Sequence, residues 1–124
     1  MNRKILVVDD EESFLMLVKL NLENTGRYEV LTLASAKDIV SQVNAFKPDI
    51  ILLDIMMPGV KGIEACTMLN SDPVGVRIPI IILSALDKDY DRLSAYKVGV
   101  VDYLAKPIDM AELIRRIEKA LEFK

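Results

Sequence analysis

Three short apolar runs constrain the fold of this chain more than any other feature. They span residues 5–8, 50–53 and 80–83, and each consists of four Ile, Leu or Val residues bounded by polar or turn residues. Continuous apolar runs of this length are typical of strands that are buried on both faces of a parallel sheet. Such a sheet needs helices on both sides to cover it, so the runs predict an α/β fold.

Two weaker strands and five helices complete the pattern. Residues 28–33 mix polar and apolar side chains and residues 102–105 form a short segment, which suits the two edges of a sheet. Helical patterns follow the strands at residues 13–24, 35–46, 63–69, 89–98 and from 109 almost to the last residue. The order βαβαβαβαβα with the three apolar strands in the centre predicts a flavodoxin-like, doubly wound, five-stranded parallel sheet of order 2-1-3-4-5, a (βα)5 fold.

Individual residues predict where these helices begin and which face they bury. Ser35 with Asp38 resembles a capping box that opens the second helix. Asp109 and Glu112 stand at the corresponding positions of the last helix. The first helix has its apolar side chains at Phe14, Leu17, Val18 and Leu22.

Length and composition exclude several classes of protein. A chain of 124 residues without internal repeats or linkers predicts one domain over residues 1–124. A hydrophobic content of 52% excludes intrinsic disorder, and a net charge of -3 argues against nucleic-acid binding. The single Cys66 cannot form a disulfide within the chain, and the lack of histidine excludes His-dependent triads, His-ligated zinc and an internal phosphohistidine.

The sequence carries no pattern of a membrane protein or of a secreted one. No apolar run approaches the roughly 18 residues of a spanning helix. The first apolar run ends at the acidic residues 9–12, too early for a signal peptide. We therefore expect a cytoplasmic protein without membrane contacts.

Polar residues suited to phosphate or metal chemistry follow four of the five predicted strands. Because the carboxyl ends of parallel strands meet at one edge of the sheet, we expect three carboxylates, one hydroxyl and one ammonium group to lie together. Any one of these residues is as readily explained by a turn or a helix cap, but their coincidence indicates a site. They are Asp9 and Asp10 after the first strand, Asp54 after the third, Ser84 after the fourth and Lys106 after the fifth.

The charge at this edge predicts a metal ion. Three carboxylates repel one another, and the single ammonium group of Lys106 does not compensate them. A hard divalent cation with oxygen ligands does so, and Mg²⁺ typically takes one or two carboxylates, several waters and a phosphate oxygen. The residues therefore predict Mg²⁺ and phosphoryl chemistry.

Four motifs around these residues resemble one family. They are the segments at 5–11 (Ile-Leu-Val-Val-Asp-Asp-Glu), 54–64 (beginning Asp-Ile-Met-Met-Pro-Gly), 81–85 (Ile-Ile-Leu-Ser-Ala) and 99–107 (ending Tyr-Leu-Ala-Lys-Pro). With these motifs, in this order and at this spacing over essentially the whole chain, the sequence resembles a bacterial response-regulator receiver domain (CheY-like) of two-component signalling.

The resemblance implies a role for each acidic residue. Asp54 would be the phosphoacceptor, which attacks a phosphoryl group carried on a partner's histidine. Asp10 and Asp54 would bind Mg²⁺ directly, with Asp9 holding the ion through water. The backbone carbonyl of Met56 would be the third protein ligand.

It also implies roles for residues of the last two strands. Lys106 would bridge to a phosphoryl oxygen and Ser84 would donate a hydrogen bond to another. The Lys106–Pro107 peptide bond would be cis. Tyr103 would be an aromatic switch that turns inward from an outward rotamer when Ser84 moves toward the phosphoryl group.

The function that the resemblance implies is a phosphorylation-activated signalling switch rather than an enzyme with its own substrate. Its partners would be a sensor histidine kinase or phosphotransfer protein and an output domain or protein. The output would contact the surface of the predicted fourth helix, fifth strand and fifth helix. A phosphorylation-dependent dimer through the same surface could use Asp102 and Arg116 as a charge pair, but Ser94 stands where a basic residue is expected.

Alternative functions remain open from the sequence. The chain could be a stand-alone receiver or the N-terminal receiver of a longer transcriptional or enzymatic regulator. A Mg²⁺-dependent phosphatase of the haloacid-dehalogenase type also uses an aspartate nucleophile, but it needs a second aspartate where this chain has Met56. A degenerate receiver used only for binding would not need the complete acidic set.

Overall fold

The computed structural model describes residues 2–55, 62–84 and 100–122. Within these ranges the chain forms a five-stranded sheet, four α-helices and one 3₁₀-helix. In chain order they are β1 (Arg3–Val8), α1 (Glu12–Glu23), β2 (Tyr28–Leu33), α2 (Ile39–Phe46), β3 (Ile50–Asp54), α3 (Gly62–Asn70), the 3₁₀-helix (Gly75–Arg77), β4 (Ile80–Ser84), β5 (Asp102–Ala105) and the C-terminal helix (Met110–Leu121). The helix predicted at 89–98 lies outside the described residues.

The sheet is parallel throughout and has the order β2-β1-β3-β4-β5, which confirms the predicted topology. Its register aligns the strands at their carboxyl ends. Val8 lies opposite Leu53, and Ser84 lies opposite Ala105. Residues that follow these positions therefore emerge side by side at one edge.

The apolar runs are buried because helices cover both faces of the sheet. Alternate side chains of a strand point to opposite faces. Leu6 and Val8 of β1 belong to the apolar cluster that includes residues of α2 and α3. Ile5 and Val7 belong to a second cluster, with residues of α1 and the C-terminal helix. The central strands therefore need apolar residues at every position, as predicted.

Helix α1 buries a slightly different face from the predicted one. Its buried residues are Leu15, Val18 and Leu22, which follow the helical spacing of three and four. Leu17 is 48% exposed, so its assignment to the apolar face was wrong. Phe14 is partly buried and packs against the second apolar cluster.

Helix α2 begins at Ile39 with Asp38 as its N-cap, three residues later than the capping-box prediction with Ser35 as N-cap. The Ser35 hydroxyl accepts a hydrogen bond from the backbone N–H of Lys37, only two residues along the chain. Asp38 occupies the N-cap position but makes no side-chain capping bond. The Ser35 hydroxyl is therefore used in a local turn before the helix and does not cap α2.

The C-terminal helix lies where it was predicted, but of its two predicted capping residues only Asp109 caps it, and the Glu112 carboxylate pairs with Arg115 and Arg116 instead. Asp109 caps it by accepting a hydrogen bond from the backbone N–H of Ala111, and its buried residues are Leu113, Ile117 and Leu121. Arg116 on this helix pairs with Asp102 of β5 in the same chain, at 2.6 Å between Nη1 and Oδ1. None of the helices in the described part of the chain is both long and apolar enough to span a membrane.

Candidate functional site

Residues at the carboxyl edge of the sheet are held in place by backbone hydrogen bonds that continue the strands. Asp9, the residue after β1, donates its backbone N–H to the carbonyl of Leu33, at 3.0 Å. Lys106, the residue after β5, donates to the carbonyl of Ser84, at 2.7 Å. Both side chains therefore start from positions that the sheet itself determines.

Lys106 lies at the centre of the edge, among three carboxylates. Its Nζ is 2.7 Å from Asp9 Oδ2, 3.5 Å from Asp54 Oδ2 and 3.4 Å from Glu11 Oε1. The Asp9 side chain is fully buried and that of Lys106 is 13% exposed. The peptide bond from Lys106 to Pro107 is cis. The structure thus brings together the lysine and two of the aspartates that the sequence singled out.

The electrostatics of the site keep Lys106 charged. Burial alone would lower the pKa of this ammonium group. The hydrogen bond with Asp9 and the charges of Asp54, Asp9 and Glu11 outweigh burial and hold the pKa of Lys106 above its usual value. The lysine is therefore a stable positive charge beside Asp54.

Two residues of the site were not identified from the sequence. Glu11 contacts Lys106 and donates its backbone N–H to Asp9 Oδ1 at 2.9 Å, which orients that carboxylate. The ring of Phe14 lies with its centroid 4.5 Å from Lys106 Nζ. Glu11 could have been suspected from the acidic motif that contains it. Phe14 could not, because its sequence context indicates only the apolar face of a helix.

Three carboxylates form a group that could hold a metal ion. One oxygen from each of Asp9, Asp10 and Asp54 lies within 4.8 Å of the others. Asp9 and Asp54 are buried, whereas Asp10 is exposed, so the group opens to solvent on one side. A set of carboxylate oxygens with room for water fits a hard cation such as Mg²⁺. Met56, whose carbonyl is the predicted third protein ligand, lies outside the described residues.

Ser84 and Tyr103 lie on one face of the sheet. Tyr103 is opposite Ile82, and Ser84 follows Ile82 by two residues, so the three side chains share a face. Ser84 is fully buried and Tyr103 is 5% exposed. Tyr103 belongs to the apolar cluster that includes Val100. This packing removes a large aromatic surface from water, which stabilises it. The turn of Tyr103 from an outward rotamer stays a prediction.

Comparison with known proteins gives consistent matches. The family model described as "Response regulator receiver domain" matches residues 5–118. The alkaline phosphatase synthesis transcriptional regulatory protein PhoP of Bacillus subtilis is 39% identical over 98% of this chain and 49% of its own length. The response regulator PleD of Caulobacter vibrioides is 39% identical over 100% of this chain and 27% of its own.

A solved structure matches the fold as a whole. The receiver domain of the Francisella response regulator 1452 has a TM-score of 0.88 and 32% identity, over 98% of each chain. The match covers nearly all of that solved chain, whereas the present chain spans half or less of the length of the two curated relatives.

Proposed function

The chain belongs to the response regulator receiver domain family, and from this premise we propose that it is a signalling switch phosphorylated on Asp54. One observation carries the assignment to Asp54. This carboxylate ends the central strand β3, is 3% exposed, and lies 3.5 Å from the ammonium group of Lys106. It is also part of the acidic group that could hold a metal.

The phosphoryl donor is a phosphohistidine on a sensor histidine kinase or phosphotransfer protein. An oxygen of Asp54 attacks phosphorus while the bond from phosphorus to the donor's imidazole nitrogen breaks. The bonding pair stays on that nitrogen, and the product is an aspartyl phosphate. Lys106 approaches a phosphoryl oxygen and offsets its negative charge, and Ser84 donates its hydroxyl to another. Such transfer depends mainly on positioning and on electrostatic stabilisation.

Asp10 and Asp54 would hold Mg²⁺, with Asp9 acting through water and the Met56 carbonyl completing the protein ligands. When bound, the ion supplies positive charge that balances the phosphoryl oxygens. Later attack by water on phosphorus breaks the bond to Asp54 and releases inorganic phosphate, which resets the switch.

The signal reaches partners through β5 and the C-terminal helix. Movement of Ser84 toward the phosphoryl group changes the space beside Tyr103, which shifts the population between two packings of this face. An output domain or protein that contacts β5 and the C-terminal helix then meets a different surface. Asp102 and Arg116 form an ion pair within the chain. A phosphorylation-dependent dimer that used these residues would have to break this pair and form the same pair between two chains.

The proposal is tested by labelling with acetyl phosphate and Mg²⁺, which replaces the kinase by a small donor. Wild-type protein should gain one base-labile phosphoryl group, measured as the mass increase of the intact protein and located by peptide mapping. Asp54→Asn should gain none, and Asp49→Asn, outside the site, should label like wild type. Labelling of Asp54→Asn at the wild-type rate would contradict the assignment.

A second assay, with a phosphomonoester as substrate, separates the switch from the alternative phosphatase. A phosphatase would release phosphate from a phosphomonoester over many turnovers, whereas a switch holds one phosphoryl group per chain. Sustained release from p-nitrophenyl phosphate that Asp54→Asn abolishes would favour the phosphatase.

A further inference from the structure

We propose that Phe14 is a positioning residue for phosphoryl transfer, because its ring holds the ammonium group of Lys106 beside Asp54. This inference rests on the proposed function, since it gives Lys106 the task of meeting the phosphoryl group. The ring of Phe14 contacts the ammonium group of Lys106, and Phe14 acts on the reaction through that lysine.

The ammonium group of Lys106 is in contact with an aromatic ring as well as with carboxylates. Lys106 Nζ has carboxylate partners in Asp9, Glu11 and Asp54, at 2.7, 3.4 and 3.5 Å. The fourth neighbour is the ring of Phe14, whose centroid is 4.5 Å from Nζ. This distance is well inside the roughly 6 Å over which an aromatic face attracts a cation.

The ring is itself held firmly. Phe14 lies in the first turn of α1 and is partly buried against an apolar cluster, and Ile108, close to Lys106 in the chain, packs against the same cluster. The turn before it is fixed by the hydrogen bond from the Glu11 backbone N–H to Asp9 Oδ1, at 2.9 Å. Phe14 therefore joins the start of α1 to the loop that carries the lysine.

A neutral ring matters most when the metal binds. Asp9 and Asp54 are partners of Lys106 and also members of the acidic group that could hold the cation. A divalent cation bound there would compete with Lys106 for these carboxylates and would repel the ammonium group. It would not compete for the ring of Phe14, because a hard cation takes oxygen ligands rather than an aromatic face. Phe14 thus keeps Lys106 close to Asp54 in the state that reacts.

The experiment compares substitutions at Phe14 for the rate of phosphorylation by acetyl phosphate at saturating Mg²⁺. Phe14→Leu retains an apolar side chain but has no aromatic face, and Phe14→Tyr retains the face. We expect Phe14→Leu to react about three- to tenfold more slowly and Phe14→Tyr to remain within about twofold of wild type. Met16→Leu, on the same helix and 73% exposed, is the matched control and should not change the rate.

Two further measurements distinguish positioning from general disruption. The ε-methylene protons of Lys106 should show upfield ring-current shifts in wild type and in Phe14→Tyr, but not in Phe14→Leu. The affinity for Mg²⁺, followed by NMR titration, should stay within about twofold in all variants. The reason is that substitution at Phe14 leaves every predicted oxygen ligand of the ion in place.

Three results would overturn the inference: a wild-type rate for Phe14→Leu, equal slowing by Leu and Tyr, or no ring-current shift in the wild-type protein. The shift is measured without substitution, so the test survives if Phe14→Leu does not fold. Failure of the proposed function looks different. In that case wild type gains no phosphoryl group on Asp54, whatever residue occupies position 14.

Discussion

At the scale of single residues, Lys106 connects stability with function. Its ammonium group is the partner of Asp9, a carboxylate that is fully buried. A buried charge that loses its partner is strongly destabilising, because the desolvation of that charge is no longer offset. The same ammonium group is the one that we expect to meet the phosphoryl group.

Lys106→Met should destabilise the metal-free protein by about 3 kcal/mol, because it leaves Asp9 buried without its cation. Added Mg²⁺ should restore part of this loss by supplying another positive charge. Urea unfolding with and without Mg²⁺ measures both effects. Lys19→Met, which removes an exposed positive charge from α1, is the control and should change stability little.

The stabilisation from Lys106 also has a predictable pH dependence. The fold raises the pKa of Lys106, so the folded state binds its proton more tightly than the unfolded chain. The contribution is therefore complete below the usual lysine pKa of about 10.4 and is lost as the pH rises through the raised value. A wild-type stability advantage over Lys106→Met that was already lost at pH 8 would contradict this account.

At the scale of elements, two helices that begin with aspartate differ in how that residue is used. Asp109 accepts a hydrogen bond from the backbone N–H of Ala111 at 3.2 Å, whereas Asp38 makes no side-chain capping bond. The two residues look alike in sequence. Only one of them satisfies a backbone donor at the start of its helix.

Asp109→Ala should therefore lower the free energy of unfolding by about 1 kcal/mol, the usual cost of losing an N-cap. Asp38→Ala should change it by much less, because it removes no capping bond. Chemical denaturation of the two variants side by side gives the comparison. Equal losses in both would show that the capping bond of Asp109 contributes little.

At the scale of the whole molecule, the acidic edge opposes folding unless a cation compensates it. Asp9 and Asp10 are neighbours in the chain, and the fold brings Asp54, 44 positions after Asp10, up to them. A cation that binds only the assembled group must stabilise the folded state. Charge removal at the exposed Asp10 should have a similar effect without any metal.

Mg²⁺ should raise the melting temperature of the protein. At ten times its dissociation constant the gain is about 1.4 kcal/mol. Asp10→Asn should be more stable than wild type without metal, because repulsion falls, and should respond less to Mg²⁺. Calorimetry over a Mg²⁺ series measures both, with K⁺ at matched ionic strength as the control. A melting temperature that Mg²⁺ leaves unchanged would contradict the metal site.

A phosphoryl analogue should change a surface that lies away from Asp54. Beryllofluoride with Mg²⁺ should shift the amide signals of β5, including Tyr103, and of the C-terminal helix. Asp54→Asn should show no such shifts. Changes confined to the residues around Asp54 would argue against coupling through Ser84 and Tyr103.

The order of the strands and the places of most site residues could be predicted from the sequence. Runs such as 50–53 are apolar at every position because both faces of β3 are covered. A run of only four such residues, bounded by polar residues, is typical of a buried strand. Parallel strands then place the residues that follow them at one edge. The sequence alone therefore assigns four residues to that edge, and the register of the strands agrees: Asp9, Asp54, Ser84 and Lys106.

The contacts that depend on side-chain direction could not be predicted and follow from the packing of the folded chain. Phe14 lies over Lys106, 92 positions away in the chain, because α1 and the loop after β5 meet at the edge of the sheet. Asp102 and Arg116 pair within one chain, and Tyr103 is buried. Each outcome is a choice among rotamers and neighbours of similar local energy. Spacing along a sequence predicts faces and edges, but the packing of distant elements selects the partner.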